Sequence, residues 1–367
     1  MEESRFVGDV YSPFKFLDAY EREDKDIFFG RDEEIELLYE TTFKTDLVLF
    51  YGQSGTGKTS LIRCGLANKF RESDWLDITI RRGDNINASL WREIARYLRI
   101  PLELETTIAE AIESLYTDFL RQIYLIFDQF EELFILGSKT EQEEFFKKVS
   151  FLLQSGAPCK LIFVMREEYI ARLHNFEKLV PGLFRNRIRI EPMYITEVEK
   201  VIHGSTTAFD IQLDNDNPDE TVEQIIENIS DEKAGIHLPY LQVYLDRLYR
   251  EAFNCERNGN TWFTLELVRK TGAISDVLGD FLHRQTQQIQ EALTDKYPGS
   301  QHEAVWQVLN RFVTPEGTRM AMPKEKVYST LQLERNLIDL CLEGLAKSRI
   351  LRLSAEGKTY ALAHDTL

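Results

Sequence analysis

Residues 52–60 read Gly-Gln-Ser-Gly-Thr-Gly-Lys-Thr-Ser, directly after the apolar run Leu47-Val48-Leu49-Phe50-Tyr51 and directly before a helical pattern. A strand, a glycine-rich turn and a helix in that order bring backbone N–H groups and the positive end of a helix to one point. That is a phosphate site. Gly52, Ser54, Gly55, Thr56 and Gly57 let the backbone curl around a β-phosphate. Lys58 reaches the β and γ oxygens, the Thr59 hydroxyl ligates magnesium, and Ser60 carries the loop into the helix. The expected ligand is a nucleoside triphosphate with Mg2+.

From about residue 46 to 193, short β-rich runs alternate with helical patterns, which predicts a parallel sheet with crossover helices. The strands expected are Leu47–Tyr51, Leu76–Arg81, Ile123–Asp128, Leu161–Met165 and Ile188–Ile190. Their continuous apolar character suits strands buried on both faces. After Pro192 helical periodicity takes over, and the last helix leads into Ile350–Ser354, a turn at Ala355–Lys358 and Thr359–Ala363. Helices closed by a β-hairpin make a winged helix. The expected organisation is a lead segment (1–27), an α/β P-loop nucleotide-binding domain (28–193), a small helical domain (194–277) and a winged-helix domain (278–367).

The third strand delivers Asp128, followed by Gln129-Phe130-Glu131-Glu132. An aspartate at the carboxyl end of a buried strand in such a protein is the expected acidic partner of the metal, with Thr59. Glu131 or Glu132, a turn further on, can orient and deprotonate an attacking water. The fourth strand delivers Arg166, which can contact the γ-phosphate or pair with Glu167, Glu168 or Glu131.

Composition narrows the partners. A formal charge of −17 and a pI near 5.0 argue against a generic polyanion-binding surface. The acidic stretch Asp214–Glu223 reads as solvated surface, and Cys64, Cys159, Cys255 and Cys341 have neither metal-type nor redox-type spacing. No apolar run approaches the length of a membrane span, and the Met-Glu-Glu-Ser-Arg start is unlike a signal peptide, so the expected location is cytoplasmic, with no membrane partner.

Together, Phe28-Phe29-Gly30-Arg31, the phosphate loop, Asp128-Gln129-Phe130-Glu131-Glu132, Arg166 and a closing winged helix resemble the STAND class of NTPases, AAA+-related signalling switches that include NLR receptors and apoptotic activators. The opening from Ser12 to Arg31 is similar to the bacterial branch that reads Asp-Gln-Phe-Glu-Glu at its second motif. The resemblance implies ATP or ADP as ligand, with Phe28, Phe29 and Gly30 over the adenine and Pro239 of the helical domain approaching the base. It also implies that His364, in Ala363-His364-Asp365, bonds the β-phosphate of ADP and locks a closed state.

The activity so implied is that of a slow ATPase switch, resting with ADP, oligomerising with ATP and relaying a signal, for this branch in antiphage defence or stress signalling. A protein trigger or effector is expected outside this chain. Two rivals stand beside it. A constitutive AAA+-like motor predicts fast turnover in a preassembled ring. A DNA-binding regulatory ATPase predicts a basic recognition helix, yet 333–348 carries Glu334, Asp339 and Glu343.

Overall fold

The computed structural model describes residues 12–99, 106–231, 235–253, 261–296, 303–314, 320–348, 350–353 and 359–363. The chain divides into two compact units, Ala19–Ser205 and the described residues of Met1–Asp18 with Thr206–Leu367.

In the first unit a 3-10 turn (Arg22–Ile27) precedes α1 (Asp32–Lys44) and β1 (Leu47–Gly52). After the phosphate loop, α2 (Lys58–Ser60), a π-helical turn (Leu61–Leu66) and α3 (Ala67–Lys69) form one run of helix. There follow β2 (Trp75–Ile80), α4 (Ile86–Ala95), α5 (Ile108–Phe119), β3 (Gln122–Phe127), α6 (Glu132–Ile135), α7 (Lys139–Ser155), β4 (Cys159–Arg166), a 3-10 helix (Glu167–Phe176) and β5 (Arg187–Ile190). The chain leaves through α8 (Ile195–Ala208).

The five strands are parallel in the order β2-β3-β4-β1-β5. Their continuous apolar character has a direct cause. Side chains alternate between faces, so Leu49, Leu125, Phe127, Leu161 and Phe163 pack with α4, α5 and α7. Val48, Phe50, Tyr124, Ile126, Ile162 and Val164 pack on the other face with α1 and the helix after the phosphate loop. Local signals set the helix ends. Asn85 accepts the N–H groups of Asn87 and Ala88 at the start of α4, and Thr107 with Glu110 forms a capping box on α5. Gly156 ends α7 in the left-handed region, φ 73°.

α8 adheres to this unit because Gly204 leaves room for the Phe29 ring, and because Val201 and the Glu197 carbonyl lie against Gly30. The compact unit runs to Ser205, inside α8.

The second unit holds β6 (Ile211–Leu213), α9 (Pro218–Ile229), β7 (Ser230–Asp231), β8 (Gly235–Ile236), α10 (Leu238–Phe253), β9 (Thr261–Phe263) and α11 (Leu265–Thr271). α12 (Ile274–Lys296), α13 (Ala304–Leu309), β10 (Met322–Pro323), α14 (Lys324–Thr330), α15 (Arg335–Lys347), β11 (Leu351–Leu353) and β12 (Thr359–Leu362) follow. Asn228 donates to the Tyr244 hydroxyl and the Val268 carbonyl, tying α9, α10 and α11 together. β11 and β12 pair antiparallel over a core that includes Val308, Phe312, Ile338, Leu342 and Leu345. Phe14 anchors the lead segment in this unit, 5.2 Å from Phe209 and 6.5 Å from Phe263, ring centre to ring centre. Asp214, expected as bare surface, accepts the Leu265 N–H at the start of α11, and backbone hydrogen bonds hold its carboxyl below the usual range. No described helix is long and apolar enough to cross a membrane.

Candidate nucleotide site

The carboxyl ends of the strands gather the expected residues at one edge of the sheet. Gly52 ends β1 in register with Arg166 on one side and Ile190 on the other. A Cβ on Gly52 would lie 2.3 Å from the Ile190 carbonyl oxygen, so close strand approach dictates glycine there. Gly55 and Gly57 have a different reason, φ angles of +78° and +83°. With Ser54, which precedes Gly55 in the turn after β1, they leave a cradle of main chain that fits a phosphate group.

The Lys58 ammonium donates to the carbonyls of Gly52 (2.8 Å) and Gln53 (2.6 Å) and so lies over the loop. Burial lowers its pKa, and the neighbouring Glu131 charge opposes that shift. Thr56 is buried, its hydroxyl donating to Gln53 O at 2.9 Å. The Ser60 hydroxyl accepts the Tyr20 N–H at 3.1 Å, tying the segment before Phe28 to the loop helix. Thr59 Oγ1 donates to Asp128 Oδ1 at 3.1 Å, so the two expected magnesium ligands are neighbours. Among the described residues no cluster of three or more His, Cys, Asp or Glu could hold a metal. A magnesium ion here would rest on Thr59, Asp128 and the ligand's own oxygens, a hard-oxygen set that suits it.

Asp128 follows β3, its N–H donating to Ile80 O of β2 at 2.9 Å. Gln129 then takes φ +58°, unusual for a residue with a side chain. This turn sends Phe130 into the core, its ring stacked on Phe163 at 4.4 Å, and leaves the two glutamates to diverge. Glu131 is 5% exposed and lies against Arg166, accepting its backbone N–H (3.2 Å) and pairing with its Nε (3.3 Å). Burial raises the Glu131 carboxyl above the usual range, against the Arg166 and Lys58 charges. Glu132 begins α6, half-buried. Of the ion-pair partners expected for Arg166, Glu131 is one that it meets.

Two arginines were not assigned a role from the sequence. Arg31 is 3% exposed and donates to Thr56 O (3.1 Å) and Glu191 O (3.0 Å), stapling the phosphate loop to the chain after β5. Arg81 grips Asp128 Oδ2 through Nε (3.1 Å) and Nη2 (2.7 Å). A polar residue at the end of β2 was visible in the sequence. The missing signal was that β2 lies beside β3.

Phe28 packs beside Tyr20 at 5.3 Å, and Gly30 takes φ +79° against α8. Pro239, half-buried, is the second residue of α10 in the second unit. His364 lies outside the described residues, as do Cys255 and the turn at Ala355–Lys358. A cleft of about 510 Å³ lined by Lys44, Asp46, Leu179, Arg185 and Asn186 opens at the amino-terminal ends of β1 and β5, the end of the sheet opposite the phosphate loop.

Several solved structures align with most of the chain. An ORC2 protein of Aeropyrum pernix, solved as ADPNP-ADP complexes, is 12% identical with a TM-score of 0.52, covering 91% of this chain and 89% of that one. A Walker-type ATPase of Pyrococcus abyssi is 17% identical with a TM-score of 0.47, over 95% and 97% of the two chains. The Thermotoga maritima RuvB branch migration motor is 14% identical with a TM-score of 0.42, over 94% and 95%. No curated protein matches significantly. The family described as Novel STAND NTPase 1 matches residues 13–367. With its phosphate loop, its acid after β3 and a match along almost the whole sequence, the chain belongs to this family of STAND NTPases.

Proposed function

We propose that this chain is an ATP/ADP-operated switch, resting with ADP, assembling with ATP and hydrolysing it slowly. The observation that carries the reading is the Glu131–Arg166 pair. Both Glu131 oxygens face Arg166, one toward its backbone N–H and one toward Nε. A carboxylate held in this way is restrained as a base until its partner is drawn elsewhere. Fast turnover has no such need for restraint.

Lys58 and the loop N–H groups would hold the phosphates, and Phe28, Phe29 and Gly30 would bound the base. Thr59 and Asp128 would hold a magnesium ion, which supplies charge neutralisation at the phosphate oxygens. Arg166 at the end of β4 is placed to exchange Glu131 for a γ-phosphate. That exchange would free Glu131, whose carboxyl burial raises above the usual range, to take a proton from water. α12–α15 and the β11–β12 hairpin support reading 278–367 as a winged helix, and α9–α11 support a helical domain before it. His364 and Pro239 would contribute from those domains in the locked state.

The test is to denature freshly purified protein, identify the released nucleotide by chromatography and measure the native mass of the same sample. Near-equimolar ADP on a monomer is expected, with a larger native mass after exchange to ATP. An empty site with turnover above about 1 per second would replace the switch by a motor.

A further inference from the structure

We propose that Arg81 competes with a divalent cation for Asp128, so that the protein binds nucleotide in two separable modes, one without metal and one with it. The inference rests on the nucleotide-site reading above. Asp128 is almost wholly buried, its side chain 5% exposed, while the Arg81 side chain is 35% exposed on the same contact. The carboxylate is therefore enclosed, while the Arg81 side chain keeps about a third of its surface open to solvent. Both carboxylate oxygens are engaged: Oδ1 accepts from Thr59 and Oδ2 accepts twice from Arg81.

A guanidinium donating two hydrogen bonds to Oδ2 occupies the directions a cation would need, and like charges so close repel. Strand register brings Arg81 to this position. Ile80 pairs with Phe127 at the ends of β2 and β3, so the residue after β2 stands beside the residue after β3. A second acid is within electrostatic reach, since Glu132 at the start of α6 also attracts the Arg81 charge. In the metal-free mode Arg81 neutralises Asp128 in place of the cation, and nucleotide held by Lys58 and the loop needs no metal. In the loaded mode Arg81 swings toward Glu132. Nucleotide retention would then not depend on magnesium, while the hydrolytic arrangement would.

The test uses the purified full chain and measures binding, not turnover. ADP affinity is measured with EDTA, and the magnesium concentration giving half-maximal cation binding is measured by titrating MgCl2 into ATP-saturated protein. For Arg81→Gln the half-maximal magnesium concentration is expected to fall about tenfold, with ADP affinity in EDTA changed less than about twofold. Arg81→Lys keeps the charge but loses the two-point grip, and should fall by about threefold, which keeps the test open if the glutamine variant does not fold. Arg63→Gln removes another cation that acts on Asp128 only through space, and should shift the curve less than about twofold.

An unchanged magnesium curve in both Arg81 variants overturns the proposal, as does an equal shift in Arg63→Gln. Parallel weakening of ADP in EDTA and of magnesium would mean that Arg81 only props up Asp128, and also overturns it. If wild-type protein binds neither ADP nor ATP, the nucleotide reading fails and this inference with it.

Discussion

At the scale of single residues the site is a chain of charges that satisfy one another. Burial alone would push the Asp128 carboxyl up, but Arg81, Arg63 and the Thr59 hydroxyl together hold it below the usual range. Lys58 lies on two carbonyls of its own loop, and replacing it removes the cation that would meet the phosphates. Lys58→Ala is expected to weaken ADP and ATP by about 10- to 100-fold in equilibrium binding; affinity within twofold of wild type would remove Lys58 from the site. Glu131→Gln should keep nucleotide binding and slow turnover by about 10²- to 10⁴-fold, with Glu132→Gln much milder. The reverse ranking would transfer the base role to Glu132. Glu131 also carries a stability signature. Its carboxyl titrates above its unfolded value, so as pH rises the unfolded chain ionises first and the fold loses stability up to the raised native value. Glu131→Gln should therefore flatten this pH dependence of Tm, read by thermal melts between pH 4 and pH 7.5; an unchanged pH dependence would remove Glu131 as its source. Both glutamates were legible in the sequence as candidates. Their separation was not, because it depends on the left-handed turn at Gln129 and on the burial of Phe130.

At the scale of elements, alternation and capping set the strands and helices, while close approaches fix how they meet. The helix after the phosphate loop includes a π-helical turn at Leu61–Leu66, where Gly65 admits Ile35 of α1, 2.6 Å from where a Cβ would sit. α8 shows the same economy. A Cβ on Gly204 would come within 2.7 Å of the Phe29 ring, so Gly204→Ala must displace that ring or the helix. The expected cost is about 1–3 kcal/mol of stability, read by thermal melts. If Phe29 bounds the base, the variant should weaken ATP more than inorganic triphosphate in competition binding. Equal weakening would take Phe29 away from the base. Nothing in the local sequence of Gly204 distinguished it from other helical glycines, since its reason lies 175 residues earlier at Phe29.

At the scale of the whole molecule, the two units carry different parts of the proposed device. The phosphate loop, Asp128, Glu131 and Arg166 all belong to Ala19–Ser205, while Pro239 belongs to the other unit and His364 lies outside the described residues. Under the switch reading, His364→Ala should speed ADP release and raise the assembled fraction at equal ATP, measured by nucleotide exchange and native mass; identical release would remove the histidine from the lock. The sequence by itself determined the parallel sheet, the phosphate loop and the acid and arginine at strand ends, because each is written in contiguous residues whose period or spacing has one physical meaning. Tertiary structure alone decided that Arg81 would reach Asp128, that Arg31 would staple the loop and that Glu131 would be the buried carboxylate. The reason is strand order. β2 lies beside β3, and β4 stands between β3 and β1, so residues 47 or 35 positions apart share an ion pair that no local pattern records.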